Sequence, residues 1–281
     1  IAAHTSATTP SLQGLPGGKF LAAYSANVNG PALQKIAGDV MATLTADPDI
    51  QKSPAADAIR TMGTQLAERL GTIQGFRAVL LDPAAGGKNG YLNGAYLVQC
   101  TDPQKFVDSG IQWEQSPDFA KFLSATSPDI ETKMTVTPDA VTIKGVKLAK
   151  IHVAYTLREA TPDKPLAPGA EMAIQAVQKL YGPDGATAYI GVVGKQVLGV
   201  IGSNSQTLEA AVAAAQSNSN TLATSPAVTA SKNDLVANPV AVAYLPVGRW
   251  IALAESIMRS STGQPPAPPN PTLTAAENPP P

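Results

Sequence analysis

Two stretches of this chain share one order of elements, and that order constrains the fold more than any single residue. "GFRAVLLD" followed by "GAYLVQCTDPQKFVD" reads as strand, turn, strand and helix, and so does "ATAYIGVVGKQVLGVIGSNSQTLEAAVAAA". Within each stretch the apolar period changes from two to about 3.6. A chain satisfies that change by laying a hairpin into a sheet and folding a helix back over it. Gly194-Lys195 is the hairpin turn of the second stretch, because glycine tolerates the positive φ of a tight turn. "PAAGGKN" is the looser turn of the first. A second echo links "FLAAYSANVNGPALQKIAGDVM" to "VAVAYLPVGRWIALAESIM", with Ala23-Tyr24 and Ala243-Tyr244 in matching places.

The rest of the chain fits the same plan. "ETKMTVTPDAVTIKGVKLAKIHVAYTL" alternates apolar and polar residues, as antiparallel strands with one wet face do. A helix follows Asn29-Gly30-Pro31, and Ser53-Pro54, Asp102-Pro103 and Ser116-Pro117 each place a side-chain acceptor and a proline where a helix begins. Behind these starts lie apolar stripes: Leu33, Ile36, Ala37, Val40, Met41 and Leu44, then Ile59, Met62, Leu66 and Leu70. Met172, Ala173, Ala176, Val177 and Leu180 form another, and Leu208, Ala211, Val212 and Ala215 a fourth. The expected fold is α+β: antiparallel sheet built from strand-turn-strand-helix units, with helices covering one face. The repeated order leaves room for an internal duplication with halves at 18–165 and 166–262.

Both ends differ from this central domain at 18–262. Residues 1–17 are small, polar and broken by Pro and Gly, and read as an extended arm. Residues 263–281, "QPPAPPNPTLTAAENPPP" and its leading glycine, favour extended polyproline conformations and cannot pack a core. Pro265, Pro266, Pro268, Pro269 and Pro271 of this tail are candidates for docking onto a partner. Trp113, between two short helices, is the other docking candidate; Trp250 is expected to pack a helix on the sheet. The chain begins at Ile1 rather than Met, as a processed or trimmed chain would, and no apolar run reaches the length of a bilayer span.

Chemistry-bearing patterns are missing. His4 lies in the arm and His152 in a strand run, so no zinc site is expected. Cys100 is the sole cysteine, expected as a small buried hydrophobe; a reactive thiol needs a cationic neighbour, and none is close in sequence. "GVIGSNSQ" lacks the second glycine of a nucleophile elbow, so Ser203 to Ser205 read as turn and helix cap. "AAGGKNGYLNG" lacks the spacing and hydroxyl of a phosphate loop. Asp47, Asp49 and Asp82 are each accounted for by turns. With 20 basic and 21 acidic residues, the chain has no electrostatic footprint for nucleic acid or an anionic membrane.

The order of hairpin and helix, with "NPVAVAYLPVGRWIALAESIM" returning to the opening theme, resembles uncharacterised exported bacterial proteins of the kind abundant in planctomycetes. The resemblance covers residues 18 to 260 and implies repeated α+β units behind a signal peptide; it carries no catalytic residue. Only 15% of residues are charged, so uncharged polar and small side chains must cover the surface, in keeping with export. The expectation is therefore a non-catalytic structural or binding protein of the cell envelope or extracellular space, without cofactor, self-assembling through its termini or holding a protein partner. The alternatives are a soluble carrier of an apolar ligand and an accessory subunit of a larger envelope complex.

Overall fold

The computed structural model describes residues 10–52, 56–83, 90–126, 129–161, 163, 165–231, 235–237 and 239–261. Eight strands form one antiparallel sheet: β1 (Phe20–Asn27), β2 (Ile73–Leu81), β3 (Gly94–Cys100), β4 (Ile130–Ile143), β5 (Val146–Leu157), β6 (Ala186–Val193), β7 (Gln196–Ile201) and β8 (Ala241–Tyr244). Their spatial order is β4-β5-β6-β7-β3-β2-β1-β8. The first unit contributes α1 (Gly30–Ala46), α2 (Pro48–Gln51), α3 (Ala56–Gly71), α4 (Pro103–Glu114) and α5 (Pro117–Thr126). The remainder contributes α6 (Ala170–Tyr181), α7 (Ser205–Ser217), α8 (Pro226–Ala230) and α9 (Val247–Ser261). The α+β architecture with an antiparallel sheet is the one expected. No helix among the described residues is long and apolar enough to cross a membrane.

Several helix starts follow the capping rules, whereas α6 and α8 begin without a side-chain cap bond. The Asn29 side chain accepts from the Ala32 N–H, Asp102 from Lys105 and Ser116 from Phe119, satisfying first-turn donors that no carbonyl can reach. The turn at Gly194 has φ +60°, and Asn204 caps α7 through a 2.9 Å bond from the Gln206 N–H.

Helices cover both faces of the sheet, not one. Successive residues of β3 point opposite ways: Leu97 joins the cluster closed by Leu208, Ala211 and Val212 of α7, while Val98 joins the cluster closed by Val107 of α4. The α7 face is the larger core, with Leu15, Leu148, Leu198 and Leu222 fully buried in it. Residues 10–17 of the expected arm are part of this core. Leu12 and Leu15 are buried there, and the Gly14 N–H donates to the Ser219 carbonyl at 2.8 Å.

The strand order is unchanged when each strand is advanced by four and the sheet is read from its other end. Under that operation β4 and β5 exchange places with β8 and β1. The symmetry stops at the strands, since α4 and α7 occupy opposite faces. The matching dipeptides are neighbours: Ala23 pairs with Tyr244 and Tyr24 with Ala243.

Three predicted stripes are placed differently; on α3, Leu66 of the expected inward face is exposed. On α1, Leu33, Ala37 and Met41 are half-buried, but Ile36, Val40 and Leu44 are exposed. The reason is that α1 packs on α3 through small residues: Met41 occupies the space where a side chain at Gly63 would sit. On α6 the inward residues are Ala170 and Ile174, while Met172 and Leu180 face water.

Both sheet edges are blunted. β4 carries Pro138 and an irregular register between Thr137 and Val141, and β8 is four residues long between Pro239 and Pro246. Such edges resist pairing with further strands.

Candidate functional site

The register of one hairpin creates a cleft on the α4 face. β2 begins two residues after α3 ends, β3 ends three residues before α4 begins, and Ile73 pairs with Cys100. The last turn of α3 and the first turns of α4 are therefore brought together at one end of the sheet. The Thr101 N–H donates to the Thr72 carbonyl at 3.0 Å and ties the two connections. Between the helices lies an open cavity of about 530 Å³, lined by Gln65, Glu68, Arg69 and Thr72 from one side and by Thr101 to Trp113 and Ser116 from the other.

Arg69 is its central group. Its guanidinium carbon lies 4.5 Å from the centre of the Phe106 ring, a cation–π distance. On the next turn of the same helix, a Cβ at Gly110 would come within 2.7 Å of an Arg69 terminal nitrogen, so the missing side chain is what admits the guanidinium. Phe106 and Gly110 are four residues apart and share a face of α4. Together they hold the fork in place, yet the Arg69 Nε is buried and has no acceptor. No carboxylate lies within ion-pair distance of it among the described residues. One turn earlier, the Gln65 Oε1 is a buried acceptor without a donor.

The surrounding electrostatics follow from burial. Burial lowers the Arg69 pKa from its ordinary value, and the field of Glu114 opposes this. Burial raises the Glu114 carboxyl, with Arg69 opposing, and its Oε2 is also buried without a partner. The Tyr96 hydroxyl is raised, again chiefly by burial. Cys100 is free and buried. The cation absent from its sequence neighbourhood is supplied in space by Arg69, but burial outweighs it and the thiol is raised. Burial and a raised pKa both lower the reactivity of this thiol.

Trp113, the docking candidate from sequence, lines this cleft, with its ring 4.4 Å from that of Phe119. Pro265, Pro266, Pro268, Pro269 and Pro271 lie outside the described residues. Arg69 and Gln65 were not anticipated. Their only signal is a charged and an amide residue four apart, with Gln65 and Arg69 flanking the apolar Leu66 and Leu70 on a helix expected to bury that side.

A second, wider groove of about 910 Å³ runs between α4, the β4–β5 and β6–β7 turns and the end of α7. Its charges are solvated: Asp139 and Lys147 pair at 2.9 Å with both side chains mostly exposed. Elsewhere the candidate acids and bases are structural. Asp82 pairs with Arg249 at 3.1 Å, Asp47 caps α2, and the His152 Nδ1 lies 3.1 Å from the Thr187 hydroxyl.

Comparison with protein families, with curated proteins and with solved structures finds no match. The functional reading rests on the cleft itself.

Proposed function

We propose that this chain is a non-catalytic binding protein of the cell envelope or extracellular space, and that the α3–α4 cleft is its ligand site. The observation that carries the reading is Arg69: a cation held between Phe106 and Gly110, lining an open cavity, whose buried Nε–H has no acceptor among the described residues. Buried polar groups in folded proteins are nearly always bonded, so a guanidinium that lines a cavity and is left short of acceptors within the fold points to a bond made with something else. A cavity of this size suits a small molecule. Its edge of amide, hydroxyl and charged groups supports a polar ligand over an apolar cargo.

The test is a screen of small neutral, anionic and cationic probes by NMR on the ¹⁵N-labelled full chain. Saturable shifts confined to Trp113, Arg69 and their neighbours, from probes that remain chemically unchanged over a day, support the reading. Binding elsewhere only, or conversion of a probe to product, sinks it.

Assembly with further copies of the chain is a second reading, favoured by a different observation. Ile36, Val40 and Leu44 expose one apolar stripe of α1, and Leu245, Val247 and Ile251 another around α9. Light scattering across concentration, on the full chain and on one ending at Gly263, separates self-association through the body from association through the tail. A monomer at every concentration removes this reading.

A further inference from the structure

Resting on that reading of the cleft, we propose that its ligand is a small organic carboxylate, gripped through the Arg69 fork and offering an N–H or O–H donor to Gln65. The planar guanidinium presents parallel donors whose spacing matches the two oxygens of a carboxylate. The fork needs little ordering on binding, because the Phe106 ring and the gap at Gly110 already fix its plane. Gln65 lies one helical turn away on α3 and lines the same cavity, and its buried Oε1 lacks a donor. The site thus asks for an acceptor pair and a donor on one ligand.

Charge decides between carboxylate and phosphate. The cavity wall holds two cations, Arg69 and Lys105, and two acids, Glu68 and Asp102, and the field of Glu114 also reaches Arg69. A dianionic phosphate would face Glu68 and Asp102, and the field of Glu114 behind them, with one oriented fork to hold it. A single carboxylate gains the same fork at half the repulsion.

The experiment uses the ¹⁵N-labelled full chain, with the two tryptophan indole signals assigned through Trp250→Phe. Benzoate and 4-hydroxybenzoate are the carboxylate probes, benzamide the neutral isostere, benzylamine the cation and inorganic phosphate the competing anion. Saturable shifts of the Arg69 Nε–H and Trp113 indole signals are expected with benzoate, stronger with 4-hydroxybenzoate, and weaker by tenfold or more with benzamide. Arg69→Lys keeps the charge without the fork and should weaken benzoate by about tenfold or more, the worth of a charge-assisted hydrogen bond. Arg69→Met should abolish the shifts. If benzamide or phosphate binds as well as benzoate, or if Arg69→Lys binds it unchanged, the carboxylate inference is wrong while the cleft stands as a ligand site. If no probe moves either signal at millimolar concentration, the inference and the cleft reading fall together.

Discussion

Replacing Gly199 with Ala tests whether the α4 face is packed as tightly as the geometry implies. Gly199 is central in the sheet, with β3 on one side through Tyr96 and β6 on the other through Ile190. A Cβ at this position would overlap the outer end of the Tyr96 ring, at Cζ, Cε1 and the hydroxyl, where carbon contacts need about 3.5 Å. The ring cannot retreat freely, because it stacks on Phe76 at 6.2 Å between centroids, and Phe76 meets Tyr24 at the same distance. Forcing a methyl into such a site costs about 1–3 kcal/mol. Gly199 has no positive φ, so alanine suits the backbone and recovers roughly 0.5–1 kcal/mol through the unfolded chain. The expected net loss is about 1–2 kcal/mol, read from the midpoint and slope of urea unfolding. The decisive comparison is the same change in a Tyr96→Leu background, which removes the overlapping ring end. There G199A should be neutral or stabilising by roughly 0.5 kcal/mol, a coupling near 2 kcal/mol. An equal loss in both backgrounds would refute the steric argument and place the cost in the strand itself.

Three further outcomes are expected. Glu114→Gln probes pH dependence: burial raises the folded carboxyl above its unfolded value, so wild-type stability falls as pH rises through that window. The variant should therefore gain on wild type at pH 8 and lose the gain near pH 4, as unfolding midpoints at the two pH values will show; a difference independent of pH would count against it. Trp250→Phe removes the 2.7 Å bond from the indole Nε1–H to the Leu21 carbonyl, and should cost about 1 kcal/mol and speed proteolysis within α9. Asp129→Ala breaks a bridge to Arg158 at 3.1 Å, in which both side chains are largely buried, and a bond from the Ala167 N–H. A loss of roughly 1–3 kcal/mol is expected in the same urea assay, because a largely buried charge pair and a backbone bond are lost together while Arg158 keeps its bonds to the Glu159 and Pro165 carbonyls.

Much of the fold was legible because local chemistry and global packing agree. Asn29, Asp102 and Ser116 announce helices that the sheet then accepts, and the apolar runs at 94–100 and 196–201 become neighbouring central strands. Legibility fails where a helix packs on another helix rather than on the sheet. A stripe of large apolar residues predicts an inward face, but α3 meets α1 through Gly63 and Ala67, and close approach of small residues leaves Leu66, Val40 and Leu44 outside. It fails again on sidedness. Nothing in "TDPQKFVD" or "SNSQTLEAAVAAA" states which face each helix will cover, because both follow a buried strand with apolar residues on both sides.

The cleft was half visible for a related reason. Trp113 stood out in sequence because a large aromatic between two short helices needs an explanation. Arg69 did not, since a lone arginine near a helix end is ordinarily a favourable partner for the dipole and nothing more. Its setting depends on three facts from distant parts of the chain: the pairing of Ile73 with Cys100, the ring of Phe106 and the absent side chain of Gly110. A purely structural role does not suit Arg69. A buried Nε–H without an acceptor weakens a fold, and a hydrophobic residue of similar length would serve packing better. A polar group that the fold leaves unsatisfied beside a cavity is most economically explained by what it binds, which is why the first variant to make is Arg69→Met. Unchanged stability with loss of carboxylate binding would locate the purpose of Arg69 outside the fold, whereas loss of stability alone would return it to the core.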